Sequence, residues 1–101
     1  MSEFKLCRVQ EMQPQSMRRF EVGDAQILLV RLEEDFHALE DRCSHEEFPL
    51  SDGFIDDEKV ICPMHGAAFD PSTGDALTLP AYEGIRTFKV LIRDNTVYVE
   101  I

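Results

Sequence analysis

No apolar run in this sequence is long enough to cross a bilayer. The longest aliphatic stretch, Ile27-Leu28-Leu29-Val30, falls far short of the ~20 residues a spanning helix needs. Met1 to Gln10 mixes Glu3, Lys5 and Arg8 with apolar side chains and contains no signal-peptide core. The expected location is the cytoplasm, with no membrane partner. Positive charge is scarce as well: 10 Lys and Arg stand against 20 Asp and Glu, a formal net charge of −10. Binding to nucleic acid requires clustered cations to neutralise phosphates, so that class is excluded. Docking on anionic lipid is excluded for the same reason. The partners that remain carry basic surfaces, which an acidic protein finds faster by electrostatic steering.

Cysteine is also sparse. Cys7, Cys43 and Cys62 are an odd set, and without a secretion signal they do not suggest a disulfide framework. Metal ligation or a reactive thiol is the more informative expectation. The chain has no internal repeat, no low-complexity tract and no Gly-, Ser- or Pro-rich linker. With 101 residues and 44% hydrophobic content, it is read as one folded domain, 1–101, with room for a β scaffold and one site and little else, and expected to be a monomer when alone.

Helix signals are poor. The best helical candidate, Met12 to Phe20, is interrupted by Pro14. Strand signals are frequent and short. Lys5 to Val9, Arg19 to Val22, Ala25 to Leu32, Phe36 to Glu40 and Lys59 to Cys62 all read as strands. So do Ala67 to Asp70, Ala76 to Leu79, Thr87 to Arg93 and Thr96 to Ile101. Gly23-Asp24, Pro71-Ser72-Thr73-Gly74 and Asp94-Asn95 supply turns between them. Near the C-terminus, Phe88, Val90 and Ile92 alternate onto one face, and Val97 and Val99 onto one face of the next strand. The fold class is all-β, a small antiparallel β-sandwich or barrel. Asp41 to Glu58 breaks the pattern and reads as a long irregular loop, bounded by metal-ligand residue types.

Two motifs mark the ends of that region. One is Cys43-Ser44-His45; the other is Cys62-Pro63-Met64-His65 followed by Gly66, with 16 residues between His45 and Cys62. Each offers a thiolate and an imidazole, ligands that suit zinc, copper or iron–sulfur chemistry. A single Cys-x-His can be chance. Two such motifs, in a chain with three Cys and three His, change the odds. A zinc site of two Cys and two His is chemically acceptable, although zinc knuckles favour Cys-x-x-Cys.

Cys-x-His, a gap near 16 residues, then Cys-x-x-His-Gly resembles the binding signature of Rieske iron–sulfur proteins. The likeness runs through Cys62 to Gly74, which is similar to the second cluster loop and following hairpin of soluble Rieske-type ferredoxins. Phe36 to His45 resembles their strand into the first loop, and Leu79-Pro80-Ala81-Tyr82 their third, proline-containing loop. The resemblance implies a Rieske-type fold, with a cluster-binding subdomain of β-loops at about 41–82. It implies one [2Fe–2S] cluster, with Cys43 and Cys62 on one iron and His45 and His65 on the other. Neutral imidazoles in place of thiolates raise the potential to roughly −150 to +300 mV.

It further implies a one-electron carrier and not an enzyme. Such a carrier takes an electron from a reductase, flavin-dependent in one version, and passes it to a terminal oxygenase of the aromatic-ring-hydroxylating type. Two alternatives within the family are a small subunit of a nitrite-reductase-like complex and an accessory protein of iron–sulfur assembly. A structural zinc module without redox function is the alternative outside it. The high-potential branch braces its loops with a disulfide at positions that are Phe48 and Met64 here, and carries a Ser hydroxyl where this chain has Ala67. Fewer donors to the sulfurs imply a potential low in the Rieske range.

The remaining residues read more plainly. His37 is an ordinary strand histidine, Cys7 a buried small hydrophobe, and Met64 a packing shield for the cluster. Tyr82 is either packing or a lid. Glu46, Glu47, Asp52, Asp56, Asp57 and Glu58 are expected to form part of the face that meets a basic partner.

Overall fold

The computed structural model describes residues 2–44, 48–64, 66–79, 81 and 83–101. Its architecture follows from one peculiarity of the sequence. Ile27, Leu28, Leu29 and Val30 are consecutive in a strand, and all four are fully buried. Successive strand side chains point to opposite faces, so this strand must be covered on both sides.

It is covered by two layers. β1 (Glu3–Arg8), β2 (Ser16–Val22), β3 (Ala25–Arg31), β4 (Phe36–Glu40), β8 (Thr87–Arg93) and β9 (Thr96–Glu100) form a six-stranded antiparallel sheet. Its order is β1-β9-β8-β4-β3-β2, and it nearly closes into a barrel. β5 (Phe54–Asp56), β6 (Lys59–Ile61) and β7 (Ala68–Phe69) make a separate three-stranded sheet. Ile27 and Leu29 join Cys7, Met12, Phe36, Ala38, Phe88, Val97 and Val99 in the barrel core. Leu28 and Val30 point the other way, into a second core with Leu39, Val60 and Phe69. The register agrees: Leu28 faces Leu39 and Leu29 faces Ala38. The all-β expectation holds, as a barrel with a smaller sheet laid on β3 and β4.

Several elements differ from the sequence reading. The helical candidate at Met12 to Phe20 is instead a 3-10 turn at Val9–Glu11, a kink, and then β2 from Ser16. Gln15 takes a left-handed φ of 61°, which no helix accommodates, and its N–H donates to Leu32 O at 2.9 Å. Asp41 to Glu58 is not irregular throughout: it contains a 3-10 turn at Leu50–Asp52 and strand β5. Asp57 and Glu58 turn the chain with φ of 51° and 61°, the primed-turn geometry usually given to Asn-Gly. Ala76 to Leu79 is reduced to one bridge, Phe69 to Ala76. There Thr78 Oγ1 accepts the Ala68 N–H at 2.9 Å in place of a backbone carbonyl. Ile92 remains 47% exposed near the β8–β9 turn, while Phe88, Val97 and Val99 are buried. Among the described residues no helix is long and apolar enough to cross a membrane.

Candidate metal centre

β4 delivers the first loop. Its ladder with β3 is extended by the Asp41 N–H donating to Gln26 O at 2.9 Å, and Cys43 follows two residues later. The Cys43 N–H donates to Phe48 O at 2.7 Å. β6 delivers the second loop, where the Cys62 N–H donates to Ala67 O at 2.8 Å. Each cysteine amide therefore closes on the carbonyl five residues further along. In sequence, His45 lies inside the first closure and His65 inside the second; both histidines lie outside the described residues. Gly66 has a φ of 71°, a left-handed turn that glycine adopts without a Cβ penalty.

Cys43 and Cys62 are both fully buried and belong to the second core. That core also takes Leu50, Ala67, Ala81 and Ile85, with Phe48 and Met64 packed against it. The positions that carry a disulfide in the high-potential branch thus hold apolar side chains braced on the same core. Met64 has the packing role read from its place in the sequence. A further segment closes over the loops. Ser44 Oγ donates to the carbonyl of Glu83, and the Ile85 N–H donates to Gly74 O at 2.8 Å. Pro80 and Tyr82, read as part of this third loop, lie outside the described residues.

Below the first loop sits an arrangement that sequence reasoning missed. The Asp41 carboxylate is buried and receives Arg19 Nη1 at 3.2 Å, the Ser51 N–H at 2.7 Å and Ser51 Oγ at 2.7 Å. Its signal was weak, one acid among twenty. Gly53 was missed too: a Cβ there would lie 1.9 Å from Ile61 O, next to Cys62.

The acids between the motifs are not all where the sequence suggested. Asp56 pairs with Lys59 across the β5–β6 turn, so Asp57 and Glu58 lie at the end of β6 remote from Cys62. At 3.3 Å per residue, Glu58 is ~13 Å from Cys62 along the strand. Asp57 and Glu58 line a groove of about 440 Å³ together with Asp35, His37 and Asp70. Asp52 is exposed on the first loop, while Glu46 and Glu47 lie outside the described residues. His37 is half-buried in β4 opposite Val30. Cys7 lies in the barrel core, apart from the ligand loops, and burial pushes its thiol pKa up, with Glu11 adding to the effect.

Among the described residues, no group of three or more His, Cys, Asp or Glu gathers as a metal site. The described part of the candidate donor set is two buried cysteines on two loops that share one core. Every buried polar side-chain atom among the described residues has a hydrogen-bond partner. Soft thiolate donors in an apolar, closed setting fit an iron–sulfur cluster.

Comparisons with known proteins agree with that chemistry. The family model described as "Rieske [2Fe-2S] domain" matches residues 2–89. The ferredoxin component of biphenyl 2,3-dioxygenase from Rhodococcus jostii (strain RHA1) is 38% identical over 97 residues, covering 96% of this chain and 91% of that protein. Apoptosis-inducing factor 3 of Homo sapiens is also 38% identical over 97 residues, but the match covers only 16% of its length. A solved complex of reduced oxygenase and oxidized ferredoxin in carbazole 1,9a-dioxygenase superposes with a TM-score of 0.91 at 36% identity, over 96% of this chain and 91% of that one. These matches set the zinc reading aside: the chain belongs to the Rieske [2Fe–2S] family, and membership implies one Rieske-type [2Fe–2S] cluster.

Proposed function

We propose that this chain is the electron-carrying ferredoxin of a multicomponent oxygenase system, not an enzyme in its own right. It accepts one electron from a reductase, flavin-dependent in one version, and delivers it to a terminal oxygenase that hydroxylates aromatic rings. Cys43 and Cys62 hold one iron and His45 and His65 the other. The whole of 1–101 is one Rieske domain, with the cluster-binding subdomain at about 41–82, working as a monomer in the cytoplasm. When bound, the cluster supplies a store for a single electron.

The observation that carries this reading is the pair of buried cysteines on two loops with the same five-residue closure, in a chain spanning 91% of a dioxygenase ferredoxin component. The chain's own residues do the rest. The second core excludes water from the thiolate side, and Phe48 and Met64 brace the loops apolarly. Ala67 offers no side-chain donor to a cluster sulfur, which supports a potential in the lower Rieske range.

Charge supports basic docking surfaces on both partners. Nine of the 20 acidic residues but one of the 10 basic residues lie between Cys43 and Ile85. That segment therefore carries −8 of the net −10, and Lys59, its only cation, is paired with Asp57 at 3.0 Å. The rest of the chain is close to neutral, so most of the charge lies in the segment that bears the two motifs, with Asp57 and Glu58 at the end of β6 away from Cys62.

The test is an iron and sulfide assay with reduced-state EPR on the purified protein and on His65→Ala. The expected result is a red-brown wild type with two irons per chain, and a variant that loses the cluster. A colourless, iron-free wild type overturns the cofactor reading. A full cluster with an unchanged spectrum in His65→Ala overturns the ligand assignment.

A further inference from the structure

We propose that Asp41 is a positioning residue: its buried carboxylate clamps the two ends of the first ligand loop together and ties them to β2, holding Cys43 where the cluster needs it. The inference rests on the reading of Cys43 as a ligand.

Asp41 occupies the joint between the rigid barrel and the loop. Its backbone is fixed to β3 by the N–H bond to Gln26 O, and Cys43 is two residues away. The side chain has no solvent exposure. One carboxylate oxygen accepts the Ser51 N–H; the other accepts the Ser51 hydroxyl and Arg19 Nη1. Ser51 stands at the far end of the loop, next to the fully buried Leu50. Residues 42–50 are therefore closed at their base by a single carboxylate, with Arg19 supplying the countercharge from β2. A carboxylate is costly to bury unless paired and hydrogen-bonded, so the loop ends hold this position only while all three contacts persist. The loop's own closing bond, Cys43 N–H to Phe48 O, lies above the clamp and does not tie the loop to the barrel. Ligands placed by supporting contacts of this kind depend on them for retention of the metal group.

The test compares holoprotein carrying Asp41→Asn, Ser51→Ala and the double substitution with Val97→Ala, a cavity in the barrel core remote from the loops. Three quantities are read: the rate of cluster loss to an iron chelator, the reduced-state EPR line shape, and native-state hydrogen exchange of the Cys43 amide. Losing a charge-assisted hydrogen bond predicts cluster loss and Cys43 exchange about tenfold faster in Asp41→Asn. Ser51→Ala is expected to move both in the same direction. The double variant should be scarcely worse than Asp41→Asn, because the two groups act as one unit. Val97→Ala should lower the melting temperature and leave cluster loss, line shape and Cys43 exchange at wild-type values. The proposal is overturned if Asp41→Asn keeps wild-type rates, or if Val97→Ala, at an equal loss of melting temperature, sheds its cluster and exchanges the Cys43 amide just as fast. Should Asp41→Asn fail to fold, Ser51→Ala decides, since it retains the Asp41–Arg19 pair. A wild type without a cluster would refute the ligand reading instead, and the exchange of the Cys43 amide would still test the clamp.

Discussion

Gly53→Ala is the substitution on which the geometry is most exposed to refutation. Gly53 ends the 3-10 turn of the first loop, and its N–H donates to Leu50 O at 2.9 Å. An added Cβ would sit 1.9 Å from Ile61 O and 3.2 Å from Leu50 O. Real Cβ contacts do not fall below 3.0 Å, so the Ile61 carbonyl must retreat by about 1.1 Å. That carbonyl is backbone, not the end of a flexible side chain. Ile61 is paired with Phe54 on one side and Ala68 on the other, and the next residue is Cys62. The peptide cannot retreat without stretching two ladders and moving Cys62.

Overpacking that side chains can absorb costs about 1–3 kcal/mol. A clash with paired backbone should cost about 3 kcal/mol or more, which in a domain of this size lowers the melting temperature by about 12 °C or more. Gly23→Ala is the matched control. Its φ of 59° is left-handed, but nothing lies within 4 Å of the new Cβ, so only the backbone penalty of about 1–2 kcal/mol applies. Thermal and denaturant unfolding of both variants, with the visible absorption spectrum, makes the comparison. The reasoning fails if Gly53→Ala is within about 1 kcal/mol of wild type, or if it is the milder of the two.

Two other predictions follow from the same structure. Leu28→Ala and Leu29→Ala should each destabilise by about 2–5 kcal/mol. Only Leu28→Ala, whose side chain lies in the core shared with Cys43 and Cys62, should alter the cluster spectrum; matching spectra in the two variants would contradict the two-core division. The Ser72 hydroxyl and amide donate to the Asp70 carboxylate at 2.7 and 2.9 Å and hold its pKa below the usual carboxylate value. A depressed folded pKa gives stability that is present above about pH 4 and is lost as pH falls below it. Melting temperature followed from about pH 5 to pH 2 should therefore fall more steeply in wild type than in Asp70→Asn, and parallel curves would remove the assigned cause.

The strands were legible because their signals are local. Gly23-Asp24 and Asp94-Asn95 marked hairpins between β-rich runs, and the ladders pair Val22 with Ala25 and Arg93 with Thr96 as such turns require. The Asp57-Glu58 turn is hard to see in the sequence because Glu, unlike Asp, is an unusual choice for a left-handed φ and the pair sits in an acidic stretch, so β5 reads as part of a loop. β2 was read short for a related reason: the break that starts it is the backbone conformation of Gln15, and Pro14 marked only its neighbourhood.

The sequence by itself determined the chemistry. Cys43-x-His45 and Cys62-x-x-His65, in that spacing, resemble the signature of the family that the match over residues 2–89 bears out, because residue type and spacing are properties of the chain that no packing can alter. It also determined the all-β class, through short β-rich runs separated by turn residues. Only the tertiary structure decided how those residues are held. The Ile27–Val30 run could not say which of its side chains faces the barrel and which backs the cysteines, since that depends on what lies on each face. Nothing local to Asp41 pointed to Arg19 or Ser51, which lie 22 and 10 residues away. Gly53 looked like any turn glycine until Ile61 O stood 1.9 Å from its missing Cβ. The acids near Glu58 appeared to border the second cysteine until the β5–β6 turn carried them to the other end of the strand. Each of these is a relation between segments distant in sequence, and such relations exist only once the chain has closed its two cores.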